Sequence, residues 1–411
     1  MYALQDVEGS AHDWVASLSR RGEVVDGEHL VRLDQERRSA QERHDQMAHR
    51  AKEAAKRVGK ATPEEREHLI LRAKEASQGV DKAKGEMDRK KETLKDALFR
   101  LPNLPHPDVP LGGQDKGRVV KEWGKASLEE RPPHDEIGKS LGILDPEGAT
   151  HLSGSGWPCL RGDGALLARH LGSWMVEEHL PFGFEEVSPP FVVRTSAMEG
   201  SGQLPKFASE SYQTEDGDWL IPTSEVALVN LLGTDPLHEE ALPIRLTALT
   251  PNFRREAGTH GKRNRGLLRQ HQFSKVEMVS AVKEGDGEEE LLFLVERAES
   301  ILEKLELPYR RVMLASEDLA FASMKTFDLE VPFPSCGWTE ISSVSLCGTF
   351  QARRAGIRIE RSRALPELLN GTGVAVGRLI AFLLEWGWQE NGSVVLPTLL
   401  AKRMGKEVLG L

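Results

Sequence analysis

NFRREAGTHGKRNRGLLRQHQFSKVEMV, residues 252–279, holds seven Lys or Arg and two Glu in a chain whose formal net charge is −10. The segments 246–256 and 267–279 are both strand-like, and the polar, glycine-containing AGTHGKRNRG separates them. That spacing predicts an antiparallel hairpin with a long tip. Side chains alternate faces along a strand, so Arg254 and Glu256 are expected on one face, and Phe273, Lys275 and Glu277 on one face of the partner. Two carboxylates, an aromatic ring and an arginine then line one wall. Surface strands often carry ion pairs, and Arg254 with Glu256 is open to that plainer reading. The loop, however, adds Lys262, Arg263, Arg265 and Arg269. Like charges so dense are costly unless an anion binds among them, and a polyphosphate would meet that need.

The usual phosphate loops are absent. GKR at 261–263 lacks the upstream spacing and following Ser or Thr of a P-loop, and after Gly154 and Gly156 the chain has Cys159 where a dinucleotide fingerprint needs its third glycine. A nucleotide would therefore be held by side chains on antiparallel strands. Two further stretches join the constellation. In TEISSVS, 339–345, alternation predicts that Glu340, Ser342 and Val344 face one way. LNGTGVAVGR, 369–378, is glycine-rich and runs into an apolar helix expected over 379–385. Arg378 at the start of that helix opposes the macrodipole, which a bound anion would offset and a solvated side chain would not need.

Toward the N-terminus the character changes near Pro102. Residues 27–100 contain one proline, Pro63, and no tryptophan. Leu30, Leu33, Ala40, Met47, Ala51, Ala54 and Val58 follow steps of three and four, with Arg37 and His44 as polar interruptions, and Leu69, Ala73, Ala76, Val80, Ala83 and Met87 do the same before Leu94 and Leu98 resume the register. Between the two patterns, Thr62, Pro63 and Glu65 supply an N-cap, a first-turn proline and the capping-box glutamate. The reading is one antiparallel helical hairpin with arms of roughly 45–57 Å at about 1.5 Å per residue, too long for a compact domain to cover, so it is expected to project. The hairpin carries +4 and the remainder −14. It suits either a dimerising or spacing coiled coil, or an arm that lies along a phosphate backbone.

LPNLPHPDVPLGG marks a break, after which the chain reads as mixed α/β. A helix is expected over 164–178, and a strand over 183–193 whose paired prolines Pro189 and Pro190 confine it to an edge or an interface. With 39% hydrophobic and 29% charged residues the chain can bury a core, and its length suits two units. No stretch reaches eighteen consecutive apolar residues, and MYALQDVEGS has neither secretory nor transit character. Cys159, Cys336 and Cys347 form no CxxC pair, so neither a disulfide framework nor zinc is expected, and a reducing cytoplasm fits.

GFEEVSPPFVV, FRREAG with RGLLRQHQFSKVE, and NGTGVAVGR resemble motifs 1, 2 and 3 of the class II aminoacyl-tRNA synthetases. GSGQLPKF, IPTSE, EISS, FQARR and MGKEVL make the chain similar to the seryl-tRNA synthetases over nearly its whole length, the first twenty or so residues excepted. The resemblance implies an α+β fold, with an antiparallel sheet flanked by helices in 109–411 and a tRNA-binding domain in 1–108 whose coiled-coil arm spans about 27–100. It implies a homodimer through motif 1 and a two-step reaction, in which L-serine and ATP give seryl-adenylate and the seryl group passes to tRNA(Ser). Arg254 would contact the α-phosphate and the serine carboxylate, Glu256 the adenine amino group, and Phe273 and Arg378 the two faces of the base, with Arg269 on the polyphosphate. Arg255, Gln270, Ile341 and Ser342 belong to the same ATP-binding motifs. Glu340 and Ser343 match magnesium ligands. Thr223, Ser224 and Glu225 match the element at the serine amino group, and Glu277 and Thr372, with Asn370 beside them, the pair at its hydroxyl. Arg254 and Arg378 are the residues expected to act in catalysis, and no membrane is implied.

Arg263, Asn264, Thr339 and Leu346 depart from the family pattern, which raises a paralogue serving antibiotic biosynthesis or self-resistance. A carrier-protein ligase is opposed by the long arm and the missing zinc ligands, and a non-catalytic RNA-binding homologue by the presence of Arg254, Glu277 and Arg378.

Overall fold

The computed structural model describes residues 7–127, 129–256 and 265–410. They fall into two compact units, the first ending at Pro102 and the second beginning at Asn103.

In the first unit, α1 (Val7–Ser19) precedes two long helices, α2 (Gly27–Gly59) and α3 (Pro63–Phe99). Asp26 caps α2 by accepting a hydrogen bond from the His29 amide at 2.8 Å, a contact of the kind that contributes about 1 kcal/mol. At the turn between the arms Pro63 occupies the first position of α3, where its missing N–H costs no hydrogen bond. The Thr62 hydroxyl donates to the Glu65 carboxylate at 3.2 Å instead of capping a backbone amide, so the expected capping box is present in residues but not in its bonds. The seam is buried only at its base, by Leu30, Leu33 and Ala40 on α2 and Leu94 and Leu98 on α3. Farther out the arms are tied by cross-helix ion pairs, Lys90 to Glu36 at 2.7 Å and Arg43 to Glu86 at 2.8 Å. The sequence reading did not contain α1, although Val7, Ala11, Trp14 and Leu18, all buried, carry its helical spacing.

The second unit is α+β, built on an eight-stranded sheet. In chain order its first ten strands are β1 (Arg118–Trp123), β2 (Phe184–Glu186), β3 (Val192–Val193), β4 (Trp219–Leu220), β5 (Ile244–Phe253), β6 (Gln272–Val282), β7 (Tyr309–Met313), β8 (Lys325–Phe333), β9 (Gly337–Gly348) and β10 (Glu367–Ala375), and two short strands, Val394–Val395 and Val408–Leu409, pair near the C-terminus. Spatially the sheet runs β1-β7-β8-β9-β10-β6-β5-β2, with β3 and β4 in a separate two-stranded ribbon. All its pairings are antiparallel except β2 with β5. The helices Asp163–His179, Gly287–Lys304 and Val376–Trp386 bury one face, where Val276 and Met278 of β6 join the main core. On the other face Val279 and Ala281 pack with the short helices Glu225–Leu231 and Phe350–Ala355. That second cover is partial, and the candidate site lies beside it.

Three local expectations change. The hairpin is present, but β5 ends at Phe253 and β6 begins at Gln272, so strand alternation does not govern Arg254 and Glu256. Glu256 has φ +45°, a left-handed backbone that ends extended pairing. The strand expected over 183–193 is two short pieces, because Pro189 and Pro190 supply no amide donors between them; β2 does stand at an end of the sheet. The helix expected over 379–385 starts at Val376, which places Arg378 in its first turn. Most of the hairpin tip, with Lys262, Arg263 and Asn264, lies outside the described residues.

Candidate functional site

A cavity of 510 Å³ is lined by β6, β9 and β10 together with the segments around 201–211, 222–225, 267–270 and 320–323. Strand parity decides which side chains reach it. On β6, Phe273, Lys275 and Glu277 face the cavity while Val276 and Met278 go to the core. On β9 the parity expected for Glu340, Ser342 and Val344 is broken. Leu329 pairs with Ser342 but its neighbour Glu330 pairs with Glu340, which leaves Ile341 as an extra residue. This β-bulge turns Glu340, Ser343 and Ser345 to the cavity, sends Val344 into the core, and leaves the buried Ile341 between core and cavity. The Ser342 hydroxyl is spent on the Thr372 carbonyl at 2.6 Å. A second bulge, at Gly373 of β10, brings Ala375 to the same wall as Asn370 and Thr372.

One half of the cavity is cationic. Arg254 donates from Nε to the Pro222 carbonyl at 3.2 Å and holds its guanidinium 5.1 Å from the centre of the Phe273 ring. Arg378 donates to the carbonyls of Leu268 at 3.2 Å and Glu340 at 2.8 Å, and its Nη1 lies 3.2 Å from the Glu340 carboxylate. Arg269 is ion-paired with Glu256, and Gln270 completes this side. Guanidinium groups held by backbone carbonyls, beside an aromatic face, suit a polyphosphate carrying a planar base.

The other half is acidic and enclosed. Glu277 and Thr372 sit directly opposite each other on paired strands. The Glu225 carboxylate accepts hydrogen bonds from Gln351 Nε2 at 2.6 Å and Asn370 Nδ2 at 2.7 Å. Burial, and then the negative charge of Glu277, push the Glu225 carboxyl up to about 7, against the Gln351 hydrogen bond and the charges of Lys275 and Arg254. Such a carboxyl is poised to take up a small cation. Glu277 is almost wholly buried, and it is ion-paired with Lys275.

The cavity thus collects Arg254, Glu256, Arg269, Gln270, Phe273, Glu340, Ile341, Ser343 and Arg378 from the nucleotide set, and Thr223, Glu225, Glu277, Asn370 and Thr372 from the amino-acid set. Three residues of the sets lie off its wall. Arg255 turns away, donating to the Ser211 carbonyl at 3.0 Å with its guanidinium 4.7 Å from the Tyr212 ring centre. Ser342 is buried as described, and so is Ser224. Lys275 and Gln351 were given no role by the sequence reading; each touches a carboxylate of the acidic half. Lys275 had a visible signal in its parity with Glu277, whereas Gln351 arrives from a helix distant in sequence. Of the departures from the resemblance, Leu346 packs in the core and the Thr339 hydroxyl bonds to the Gly337 carbonyl at 3.1 Å, so neither lines the cavity.

Residues 207–386 match the tRNA synthetase class II core domain (G, H, P, S and T), and residues 11–105 the seryl-tRNA synthetase N-terminal domain. The chain is 41% identical to a serine–tRNA ligase of Sinorhizobium fredii, over 95% of this chain and 94% of the relative. It is 42% identical to one from a Synechococcus species, over 93% and 92%. The crystal structure of seryl-tRNA synthetase from Pyrococcus horikoshii complexed with ATP superposes with a TM-score of 0.90 at 28% identity, covering all of this chain and 99% of that one.

Proposed function

The chain belongs to the seryl-tRNA synthetases, aminoacyl-tRNA ligases of class II, and we propose that the cavity joins L-serine to the adenylyl group of ATP before the seryl group passes to tRNA(Ser). The observation that carries this reading is the adjacency, in one cavity, of three arginines with an aromatic face and a carboxylate-lined end. In the reading, ATP lies with its base on Phe273, its amino group at Glu256 and its phosphates among Arg254, Arg269 and Arg378. Serine places its ammonium at Glu225, its hydroxyl between Glu277 and Thr372, and its carboxylate toward Arg254. A carboxylate oxygen attacks the α-phosphorus and the bond to the bridging oxygen of the β-phosphate breaks. Seryl-adenylate and pyrophosphate result, with no proton transferred. The arginines neutralise charge that shifts toward the leaving pyrophosphate, and fixed donors of this kind lower barriers mainly by positioning and electrostatics. In the second step a hydroxyl of the tRNA's terminal ribose attacks the seryl carbonyl carbon and gives up its proton as the bond to the phosphate oxygen breaks and AMP leaves.

Glu340 and Ser343, turned to one wall by the bulge at Ile341, present a carboxylate and a hydroxyl oxygen, a donor set that fits a magnesium ion shared with phosphates. Bound there, the ion would neutralise phosphate charge. Rejection of alanine follows from burial, since alanine would leave Glu277 without its hydroxyl partner, and sites of this design discriminate by about 10⁴-fold or more.

The arm formed by α2 and α3, with its net positive charge, would take the tRNA by shape and backbone contacts. A second copy of the chain would dock through the motif 1 region, where β2 ends the sheet and Phe182, Phe191 and Val192 are exposed. The test of the whole reading is ATP–pyrophosphate exchange with each amino acid, followed by charging of total tRNA. Exchange and charging with serine alone support it. Exchange without charging points to another acceptor, and absence of exchange overturns it.

A further inference from the structure

Between Thr223, Lys275 and Glu277 the acidic half holds a hydrogen-bond relay. Lys275 Nζ donates to Thr223 Oγ1 at 3.0 Å and is ion-paired with Oε2 of Glu277. Thr223 Oγ1 donates to that same Oε2 at 3.3 Å and accepts from the backbone amide of Glu225 at 3.3 Å. A hydroxyl has one hydrogen and two acceptor lone pairs, and all three are committed here. Thr223 therefore has no hydrogen-bonding capacity left for a ligand. On Glu277 both side-chain donors converge on Oε2, which leaves Oε1 as the uncommitted acceptor of a carboxylate that lines the cavity.

We propose that Lys275 and Thr223 are positioning and specificity residues, which hold the Glu277 carboxyl rotated so that Oε1 alone is offered to the substrate hydroxyl. The inference rests on the assignment of Glu277 to that hydroxyl. Lys275 supplies what the local chemistry requires. Glu225 and Glu277 repel each other across the pocket, and the Lys275 ammonium at Oε2 offsets that repulsion and anchors the carboxyl. Without the anchor at Oε2 the carboxyl would be free to turn, Oε1 would no longer be fixed toward the ligand, and the preference for a ligand hydroxyl over a ligand methyl would fall. Thr223 fixes the rotation, since its hydroxyl can satisfy Lys275 and the Glu225 amide only by sending its hydrogen to Oε2.

The experiment is serine- and alanine-dependent ATP–pyrophosphate exchange by the full-length wild-type chain and its Lys275→Met, Thr223→Val and Thr223→Ser variants. Lys275→Met is expected to raise KM for serine by about 10- to 100-fold, the loss associated with a hydrogen bond to a charged group, and KM for ATP by less than about twofold on the same principle. The preference for serine over alanine should fall with it. Thr223→Ser should recover most of what Thr223→Val loses in serine KM. Equal rises in both KM values, an unchanged serine-to-alanine ratio, or no recovery by Thr223→Ser would overturn the relay. Should Lys275→Met fail to fold, the two Thr223 variants decide alone. If the wild-type chain shows no serine-dependent exchange, the underlying assignment fails instead, and the two failures are told apart by that first measurement.

Discussion

The arm and the cavity are built from opposite kinds of contact. In the arm the ion pairs run mostly three or four residues along one helix or directly across the hairpin, and burial is confined to a base around Leu30, Leu33, Leu94 and Leu98. In the second unit contacts such as those of Glu225 with Gln351 and Asn370 join elements more than a hundred residues apart. The first construction gives length and a charged surface with little core. The second gives groups whose positions are fixed from several sides at once. A rod that follows a nucleic-acid backbone tolerates displacement, while an in-line displacement at phosphorus does not.

Cutting the arm is the strongest way to break that contrast. Removal of residues 44–85 with a glycine-rich turn in their place keeps the buried base, and the Arg43–Glu86 pair at 2.8 Å shows that the cut ends lie side by side. Charging of tRNA is expected to fall by roughly three orders of magnitude, the scale that separates specific from non-specific nucleic-acid binding. Serine-dependent pyrophosphate exchange should persist. Loss of both activities together would mean that the two constructions are not independent. The converse cut is Arg254→Ala, which should lower exchange by about 10²- to 10³-fold, as loss of one preorganised donor does, and leave tRNA affinity in a filter-binding assay unchanged. A matching fall in tRNA affinity would sink the separation from the other side.

A smaller effect sharpens the chemistry of the acidic half. The Glu225 carboxyl is raised to about 7, so it is mostly protonated below that pH and mostly ionised above it. A serine ammonium needs the ionised form. The ratio kcat/KM for serine, which reports the free enzyme, should therefore drop about tenfold between pH 8 and pH 6 and flatten above pH 8, while KM for ATP stays level. A serine profile flat from pH 6 to 8 would remove Glu225 from the ammonium site.

The same contrast governs how much the sequence alone disclosed. Both arms were legible, to within a residue or two at their ends, because heptad spacing and a first-turn proline are local signals. The hairpin of β5 and β6 was legible too, and most of the residues singled out in the sequence line one cavity. Orientation was not. Glu340 shares a wall with Ser343 rather than Ser342 because Ile341 is a bulge, and the bulge is visible only in the pairing with β8. Arg254 and Glu256 reach the cavity although β5 ends before them. A period of two assumes uninterrupted extended backbone, which fails where a strand is bent to re-aim a side chain. The overlooked α1 is a different case, since its spacing of Val7, Ala11, Trp14 and Leu18 was there to be read.

The smallest expected effect concerns how little holds the outer arm. Arg43 and Glu86 are each about half exposed, so water competes for both charges and two long side chains must be ordered to make the pair. A double-mutant cycle with Arg43→Ala and Glu86→Ala, read as amide exchange near residue 43 in the full chain, should give a coupling of about 0.2–1 kcal/mol that shrinks with added salt. Arg311 and Glu299 make the opposite case in the second unit, joined by two bonds of 2.7 Å with Glu299 buried. Lys121 also reaches Glu299, at 2.8 Å, so it is removal of Glu299 that strands the part-buried Arg311, at a cost of about 3–5 kcal/mol. If the arm pair proved as strongly coupled as that, the outer seam would be a rigid element in its own right, and its fit to tRNA would have to come from the nucleic acid bending to it.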